Sequence, residues 1–161
     1  MNGLSPLTVG LLQFDVRKGD LKANMDAVST GAKEAGKCGV DWLLLPELFS
    51  SSYDLENAAR WSEINRGEVL PTLSRMAAKN HLAIIGTSIL SLASGGYGNT
   101  LVWFDAAGNE IERYIKLHRF KPMNEDKYLT PGEAPVIART PYGIAGLSIC
   151  YDLRFPELYR F

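Results

Sequence analysis

The alternation of short apolar runs with helical patterns in the first half of the chain constrains the fold most. Residues 7–16 form an apolar run that contains β-branched residues, which predicts a buried strand. Asp20 is a predicted helix N-cap, and residues 21–36 after it carry apolar side chains at helical spacing. Residues 41–45 predict a second strand, a second helix is expected to start near Pro71, and residues 82–89 predict a third strand. This order favours an α/β fold in which helices cover a sheet.

The predicted strands of the second half follow one another without helices between them. Glycine-rich turns separate residues 99–104 from the third strand and from residues 110–116, so a hairpin is expected there. Residues 135–139 and 143–151 predict two further strands. A sheet that includes these strands is expected to be mixed.

The composition excludes several classes of function. The 161 residues, of which 46% are hydrophobic and 22% charged, suit one globular domain. The chain has 17 basic and 18 acidic residues, so its net charge is close to zero and gives no long-range attraction for nucleic acid. Nucleic acid is therefore not an expected partner. No apolar run approaches the roughly 20 residues of a membrane helix, and the first residues lack a signal-peptide pattern, so no membrane partner is expected. With only two cysteines, a cytoplasmic protein without disulfides is expected.

Cofactor and metal motifs are missing from the sequence. The two histidines and two cysteines show no H-x-x-x-H or C-x-x-C spacing, so no metal site is expected. The glycine-rich residues 95–98 lack the lysine and serine of a P-loop, which disfavours phosphate binding. No G-x-S-x-G occurs, which argues against a serine hydrolase. No cofactor is therefore expected.

Three residues that could perform chemistry stand at the ends of predicted strands. Cys150 precedes a predicted helical turn, whose backbone N–H groups could lower the pKa of the thiol and hold an oxyanion. Glu47 follows a wholly apolar strand, where desolvation would raise the carboxyl pKa towards that of a general base. Lys116 ends the second strand of the hairpin. Taken singly, each also fits an ordinary role, namely a buried thiol, a solvated loop carboxylate or a surface lysine.

Together these residues lie in segments that resemble the signature of the nitrilase superfamily of carbon–nitrogen hydrolases. The segments are LLLPE, which ends at Glu47, YIKLH around Lys116 and CYDLRFPEL, which starts at Cys150. They occur in the family's order, and further residues fit it as well: Gln13, Phe14, Asp15, Asn24, Gly86, Asn99 and Thr100. The Cys150 segment is similar to the small-amide hydrolases, including the omega-amidases, rather than to the aromatic or aliphatic nitrilases.

The resemblance implies the architecture as well. It implies a layered α-β-β-α sandwich with mixed sheets, of which residues 1–161 form the N-terminal part of one hydrolase domain. A helix predicted near Arg154 reaches only about two turns by Phe161, which is too short to be stable without packing, so the chain is expected to be an incomplete domain. Members of the family usually assemble, so a homo-oligomer is expected.

The resemblance also implies a mechanism. Cys150 would attack the carbonyl of a small linear amide, and Glu47 would carry the protons between thiol, leaving group and water. Lys116 and the backbone N–H of Tyr151 would face the oxyanion of the tetrahedral intermediate.

Two assignments stay open at the level of sequence. Many members of the family carry a second glutamate near the lysine, for which Glu125 is the candidate and Glu133 the alternative. The same triad could also serve a nitrile or N-carbamoyl hydrolase, or be retained in an inactive fragment or interaction module.

Overall fold

The main sheet is mixed, as the sequence predicts. A computed structural model describes residues 6–160 of the chain, so Phe161 and the first five residues, which were inspected for a signal peptide, lie outside the described part. The sheet contains five strands, in the order β1 (Val9–Leu11), β2 (Trp42–Leu44), β3 (Ala83–Ser91), β4 (Tyr97–Phe104) and β5 (Glu110–Ile115). Strands β1, β2 and β3 are parallel, whereas β4 pairs antiparallel with both β3 and β5.

The helices begin near the predicted positions, with one correction. The helices are α1 (Leu21–Lys37), α2 (Ala58–Ile64), α3 (Leu70–Asn80) and α4 (Glu125–Tyr128). The side chain of Asp20 accepts a hydrogen bond from the Ala23 N–H, which confirms the predicted N-cap. The helical segment that leads into Pro71 starts earlier than predicted, because a π-helical turn at Asn65–Val69 joins α2 to α3. Gly67 and its polar neighbours in that turn interrupt the apolar pattern, so the sequence conceals the continuity.

Two hydrophobic cores lie on the two faces of the main sheet. Side chains of β3 and β4 alternate between them, with Ile84 and Val102 on one face and Ile85 and Trp103 on the other. The first face packs against α1 and α3. The second packs against a two-stranded antiparallel sheet formed by β6 (Ile137–Thr140) and β7 (Gly143–Gly146). The described residues therefore form three layers, α-β-β. Within residues 6–160, no helix is both long and apolar enough to cross a bilayer.

The end of the chain departs from the prediction. Strand β7 stops at Gly146 instead of continuing to Tyr151, and the chain enters 3-10 turns at Cys150–Arg154 and Pro156–Arg160 in place of a helix from Arg154. The reason is local: the Ile149 N–H donates to the carboxylate of Asp152 rather than to a neighbouring strand. The nucleophile candidate thus sits in a turn that follows a strand.

Candidate active site

The strand directions bring the candidate residues to one edge of the main sheet. Strands β2 and β3 are parallel and β4 reverses direction, so β5 runs the same way as β2. The carboxyl ends of β2 and β5 therefore lie at the same edge, and Glu47 and Lys116 follow those ends. The start of β4 lies there too, because the Lys116 N–H donates to the Asn99 carbonyl at 2.9 Å. Functional groups in α/β sheets commonly gather at such an edge.

A buried lysine lies between two carboxylates at this edge. Lys116 Nζ is 2.7 Å from Glu47 Oε1 and 2.9 Å from Glu125 Oε1. The side chains of Lys116 and Glu125 are 1% and 0% exposed, and that of Glu47 is 16% exposed. Burial alone would lower the pKa of Lys116, but the charges and hydrogen bonds of Glu47 and Glu125 outweigh it and raise the pKa above its ordinary value. Lys116 is therefore a fixed positive charge at neutral pH.

Glu47 is held by three donors. Besides Lys116, Asn99 Nδ2 donates to Oε1 at 2.7 Å and the Tyr53 hydroxyl donates to Oε2 at 2.5 Å. Burial, followed by the charge of Glu47, raises the pKa of Tyr53, so this hydroxyl stays a neutral donor. Both carboxylate oxygens are thereby fixed in direction.

Glu125, rather than Glu133, is the second glutamate at the lysine. Glu125 starts the short helix α4, and its Oε2 accepts the Phe120 N–H at 2.5 Å. Asn124 precedes it in the left-handed conformation, with φ of 59°, which turns the chain towards Lys116. Glu133 is exposed, and within residues 6–160 its side chain forms no hydrogen bond or ion pair.

Cys150 adopts a strained backbone conformation next to this cluster. Its φ of 46° lies in the left-handed region, which non-glycine residues seldom occupy. One side of the residue is exposed. Partial burial, followed by the charge and hydrogen bond of Glu47, raises the pKa of the thiol to about 11, although Lys116 opposes the shift. The prediction that the turn would lower this pKa is wrong, because the adjacent carboxylate and desolvation dominate. The sulfur is therefore a protonated thiol at neutral pH and needs a base.

An open cavity of about 440 Å³ adjoins Cys150. It is lined by Phe120, Cys150, Tyr151, Leu153 and Arg154. Its walls are mainly aromatic and aliphatic, with Arg154 the one charged residue among them. A cavity of this size and lining can admit a small organic molecule.

Sequence reasoning missed the partners that hold the triad. Tyr53 lies in a serine-rich loop without any recognisable pattern, and Asn99 was noted only as part of a family resemblance. Asp152 is fully buried, although it follows the nucleophile candidate in a polar segment. Its position two residues after Cys150 was the one available signal. His118, the last residue of the YIKLH segment, stacks on Phe155 with ring centroids 3.6 Å apart.

With this geometry in place, comparison with known proteins decides the family. The family profile described as carbon-nitrogen hydrolase matches residues 8–161. The chain belongs to the carbon-nitrogen hydrolase family.

Relatives in this hydrolase family include several amidases. An omega-amidase from Mus musculus is 32% identical over 164 residues, which cover 96% of this chain and 58% of that protein. Nitrilase homolog 2 from Dictyostelium discoideum is 34% identical over 134 residues, which cover 78% of this chain and 41% of that protein. The chain spans about half the length of the curated relatives that it matches, between 41% and 60% of it.

Solved structures of one nitrilase-superfamily amidase share the fold of this chain. A cysteine-to-alanine variant of the amidase from Nesterenkonia sp. AN1, in complex with butyramide, gives a TM-score of 0.85 at 27% identity and covers 98% of this chain and 62% of that chain. A second variant shows the Michael addition of acrylamide at the active-site cysteine, with a TM-score of 0.85 at 26% identity over 96% of this chain and 61% of that chain. The predicted nitrilase-type fold is confirmed over the part that this chain covers.

Proposed function

We propose that this protein is an amidase that hydrolyses a small linear amide through a thioester on Cys150 and releases ammonia or an amine. The observation that carries the proposal is the buried Lys116 ammonium, 2.7 Å from Glu47 and 2.9 Å from Glu125, beside a protonated thiol. Burying such a charge costs free energy unless its partners pair with it and satisfy its hydrogen bonds.

The first step forms the thioester bond. Glu47 takes the proton of the Cys150 thiol as the sulfur attacks the carbonyl carbon, and the electron pair of the C=O bond moves to oxygen. The resulting oxyanion faces the Lys116 ammonium and the backbone N–H of Tyr151, which stabilise its charge. Because the pKa of the thiol is raised to about 11, proton removal by Glu47 is needed at neutral pH.

The second half of the cycle restores the enzyme. The oxyanion collapses, the C–N bond breaks, and the proton held by Glu47 passes to the departing nitrogen. A water molecule then gives a proton to Glu47 and attacks the thioester, which releases the carboxylic acid and returns the proton to Cys150. The Glu47 carboxylate thus transfers protons in both stages, and hydrogen bonds from its three donors hold it in one orientation.

Glu125 has a supporting part in this proposal. Since its carboxylate is fully buried and lies against Lys116, it fixes the ammonium and balances its charge. Asn99 Nδ2 lies 2.7 Å from Glu47 and 3.4 Å from Glu125, so it bridges the two carboxylates. The Lys116 ammonium is therefore held in one position between the two carboxylates, from which it can also interact with the oxyanion.

The substrate class rests on similarity. Relatives from frog, mouse, plant and yeast are named omega-amidases, and the amidase from Nesterenkonia sp. AN1 was solved with butyramide. An amide of a short aliphatic acid fits the small cavity beside Cys150. A nitrile or an N-carbamoyl compound could follow the same first step, so the product released from each compound separates the three activities. The homo-oligomer that the family implies and the cytoplasmic location expected from the cysteine content stay predictions; light scattering coupled to size-exclusion chromatography tests the first and cell fractionation the second.

Replacing the nucleophile tests the proposal directly. We expect Cys150→Ala to abolish the release of ammonia from short aliphatic amides, because no thioester can form, whereas the fold should survive this small volume change. Cys38→Ala is the matched control, since Cys38 is also a free exposed thiol but caps the end of α1. Mass spectrometry of the wild-type protein mixed with substrate should show an acyl adduct on the peptide that contains Cys150. Turnover retained by Cys150→Ala would overturn the assignment.

A further inference from the structure

Asp152 forms a second buried polar cluster, separate from that of Lys116. Its carboxylate is fully buried and accepts four hydrogen bonds. Oδ2 accepts from the Ile149 N–H at 2.9 Å and from the Tyr114 hydroxyl at 2.7 Å. Oδ1 accepts from the His118 N–H at 2.9 Å and lies 2.8 Å from His118 Nδ1. With a carboxylate facing it, Nδ1 carries the ring hydrogen and donates.

The partners of Asp152 flank the two central residues of the site. Ile149 immediately precedes Cys150, whereas Tyr114 and His118 stand two residues before and two residues after Lys116. The single carboxylate therefore connects the chain around the sulfur with the chain around the ammonium. Tyr114 extends the connection, because its hydroxyl oxygen also accepts the Leu117 N–H at 3.3 Å.

Asp152 also closes the strained turn at Cys150. The Asp152 N–H donates to the Ile149 carbonyl at 3.0 Å, and the Ile149 N–H donates back to the Asp152 side chain. This reciprocal pair spans Cys150, whose φ is 46°. Backbone strain of this kind persists only where the surroundings enforce it, and the pair enforces it on both sides of the cysteine.

A carboxylate is the side chain that these four donors require. Every partner presents an N–H or O–H, and an ionised carboxylate offers acceptors alone. An asparagine would have the same shape, but its NH₂ would meet two of the donors. Substitution by asparagine therefore breaks half of the cluster without changing its volume.

We propose that Asp152 is a positioning residue, which clamps the turn of Cys150 to the segment of Lys116 and so holds the sulfur between Glu47 and the ammonium. The inference deepens the proposed function and rests on it, because the clamp matters for catalysis only if Cys150 is the nucleophile. Asp152 itself touches none of the reacting atoms.

The expected effect of Asp152→Asn is a loss of turnover without a comparable loss of binding. A misplacement of about 1 Å at a reacting centre can cost about 10²-fold, so kcat should fall by about that factor while KM changes little. Release of the turn also moves the sulfur away from Glu47, whose charge raises the thiol pKa. The midpoint of the pH–rate profile for alkylation of Cys150 by iodoacetamide should therefore lie below that of the wild type.

The experiment compares three variants of the purified protein, with alkylation followed on the Cys150 peptide by mass spectrometry. Asp105→Asn is the matched control, because Asp105 also accepts several N–H groups but lies at the other end of the β4–β5 hairpin. It should leave both kcat and the midpoint unchanged. Tyr114→Phe removes one donor and should shift both quantities in the direction of Asp152→Asn by a smaller amount. It also keeps the test decisive if Asp152→Asn does not fold.

The outcomes separate this inference from the proposed function. If Cys150→Ala is inactive but folded Asp152→Asn, or Tyr114→Phe in its place, keeps the wild-type kcat and alkylation midpoint, the clamp is wrong and the nucleophile stands. If Cys150→Ala retains turnover, the proposed function is wrong, and Asp152 then has no role in catalysis. A reduced kcat with a lowered midpoint, absent from Asp105→Asn, supports the clamp.

Discussion

The two ends of the β4–β5 hairpin carry similar polar groups in opposite surroundings. At the turn, Asp105 accepts hydrogen bonds from the Ala107 and Asn109 N–H groups in contact with solvent. At the other end, Lys116 and Asn99 are almost completely buried and contact Glu47 and a second carboxylate. In water, such contacts exchange with solvent and contribute little, whereas in the interior each charge needs its partner.

The difference shows how one hairpin serves two purposes. Its solvated end orders a turn, and the carboxylate there can be changed at small cost. Its buried end holds charged side chains in fixed positions, so replacing one of them leaves its neighbours without a partner and destabilises the protein. Substitutions at the buried end should therefore lower the free energy of unfolding far more than the same substitutions at the solvated end.

The largest effect is expected from Lys116→Met. Loss of the ammonium leaves the Glu47 and Glu125 carboxylates facing one another in a buried site, and breaking a buried pair in this way costs about 3–5 kcal/mol. Amidase activity should vanish as well, because the oxyanion loses its charge partner. Urea denaturation followed by circular dichroism measures the loss of stability.

Lys37→Met is the control for that experiment. Lys37 pairs with Glu34 at 2.8 Å, a separation like those at Lys116, but both side chains are 59% exposed. Its loss should leave the free energy of unfolding almost unchanged, because solvent screens an exposed pair. Equal losses in the two variants would contradict the view that burial makes the difference.

A smaller but more informative effect is expected from Glu47→Gln. Removal of the base should slow hydrolysis by about 10²–10⁴-fold. At the same time the negative charge beside the thiol disappears, so the pKa of Cys150 should fall below about 11. The variant would thus hold a more acidic thiol and yet be the slower enzyme.

Both quantities can be measured on one protein sample. The ultraviolet absorbance of the thiolate, taken as the difference from Cys150→Ala, gives the pKa, and ammonia release gives the rate. An unchanged rate would assign the base to another residue, with Glu125 the next to test. A thiol pKa that rises would show that Glu47 carries no charge next to Cys150.

The sequence indicates the positions of this site better than its physical state. Cys150, Glu47 and Lys116 were recognisable together, because their segments resemble the nitrilase-superfamily signature, although each taken singly also fits an ordinary role. The raised pKa of the thiol was not, since it depends on burial and on the distance to Glu47 in space. The 3-10 turn after β7 was missed for the same reason, because the Asp152 side chain competes for a backbone N–H.

Long-range partners were the second kind of information that the sequence withheld. Tyr53 and Glu47 are only six residues apart, but nothing in the pattern of that loop shows that the hydroxyl turns back. Asn99 reaches Glu47 across 52 positions of sequence, through the pairing of β3 with β4. Such contacts follow from strand order, which hydrophobic periodicity leaves open among several topologies.

The smallest effect is expected at the solvated end of the hairpin. Partial burial alone would raise the pKa of Asp105, but hydrogen bonds from Asn109, Ala107 and Gly108 outweigh it and hold the pKa below its ordinary value of 3.8. A carboxyl whose folded-state pKa is lowered stabilises the protein above its unfolded pKa, and this contribution is lost as the pH falls through the folded value. Asp105→Asn should therefore cost about 0.5–1 kcal/mol at neutral pH, since its contacts are solvated. Denaturation at a series of pH values should show this gap between wild type and variant closing below about pH 4. A gap that stays constant into strong acid would assign the stabilisation to the shape of the turn rather than to the charge, and the two ends of the hairpin would then differ in kind and not only in burial.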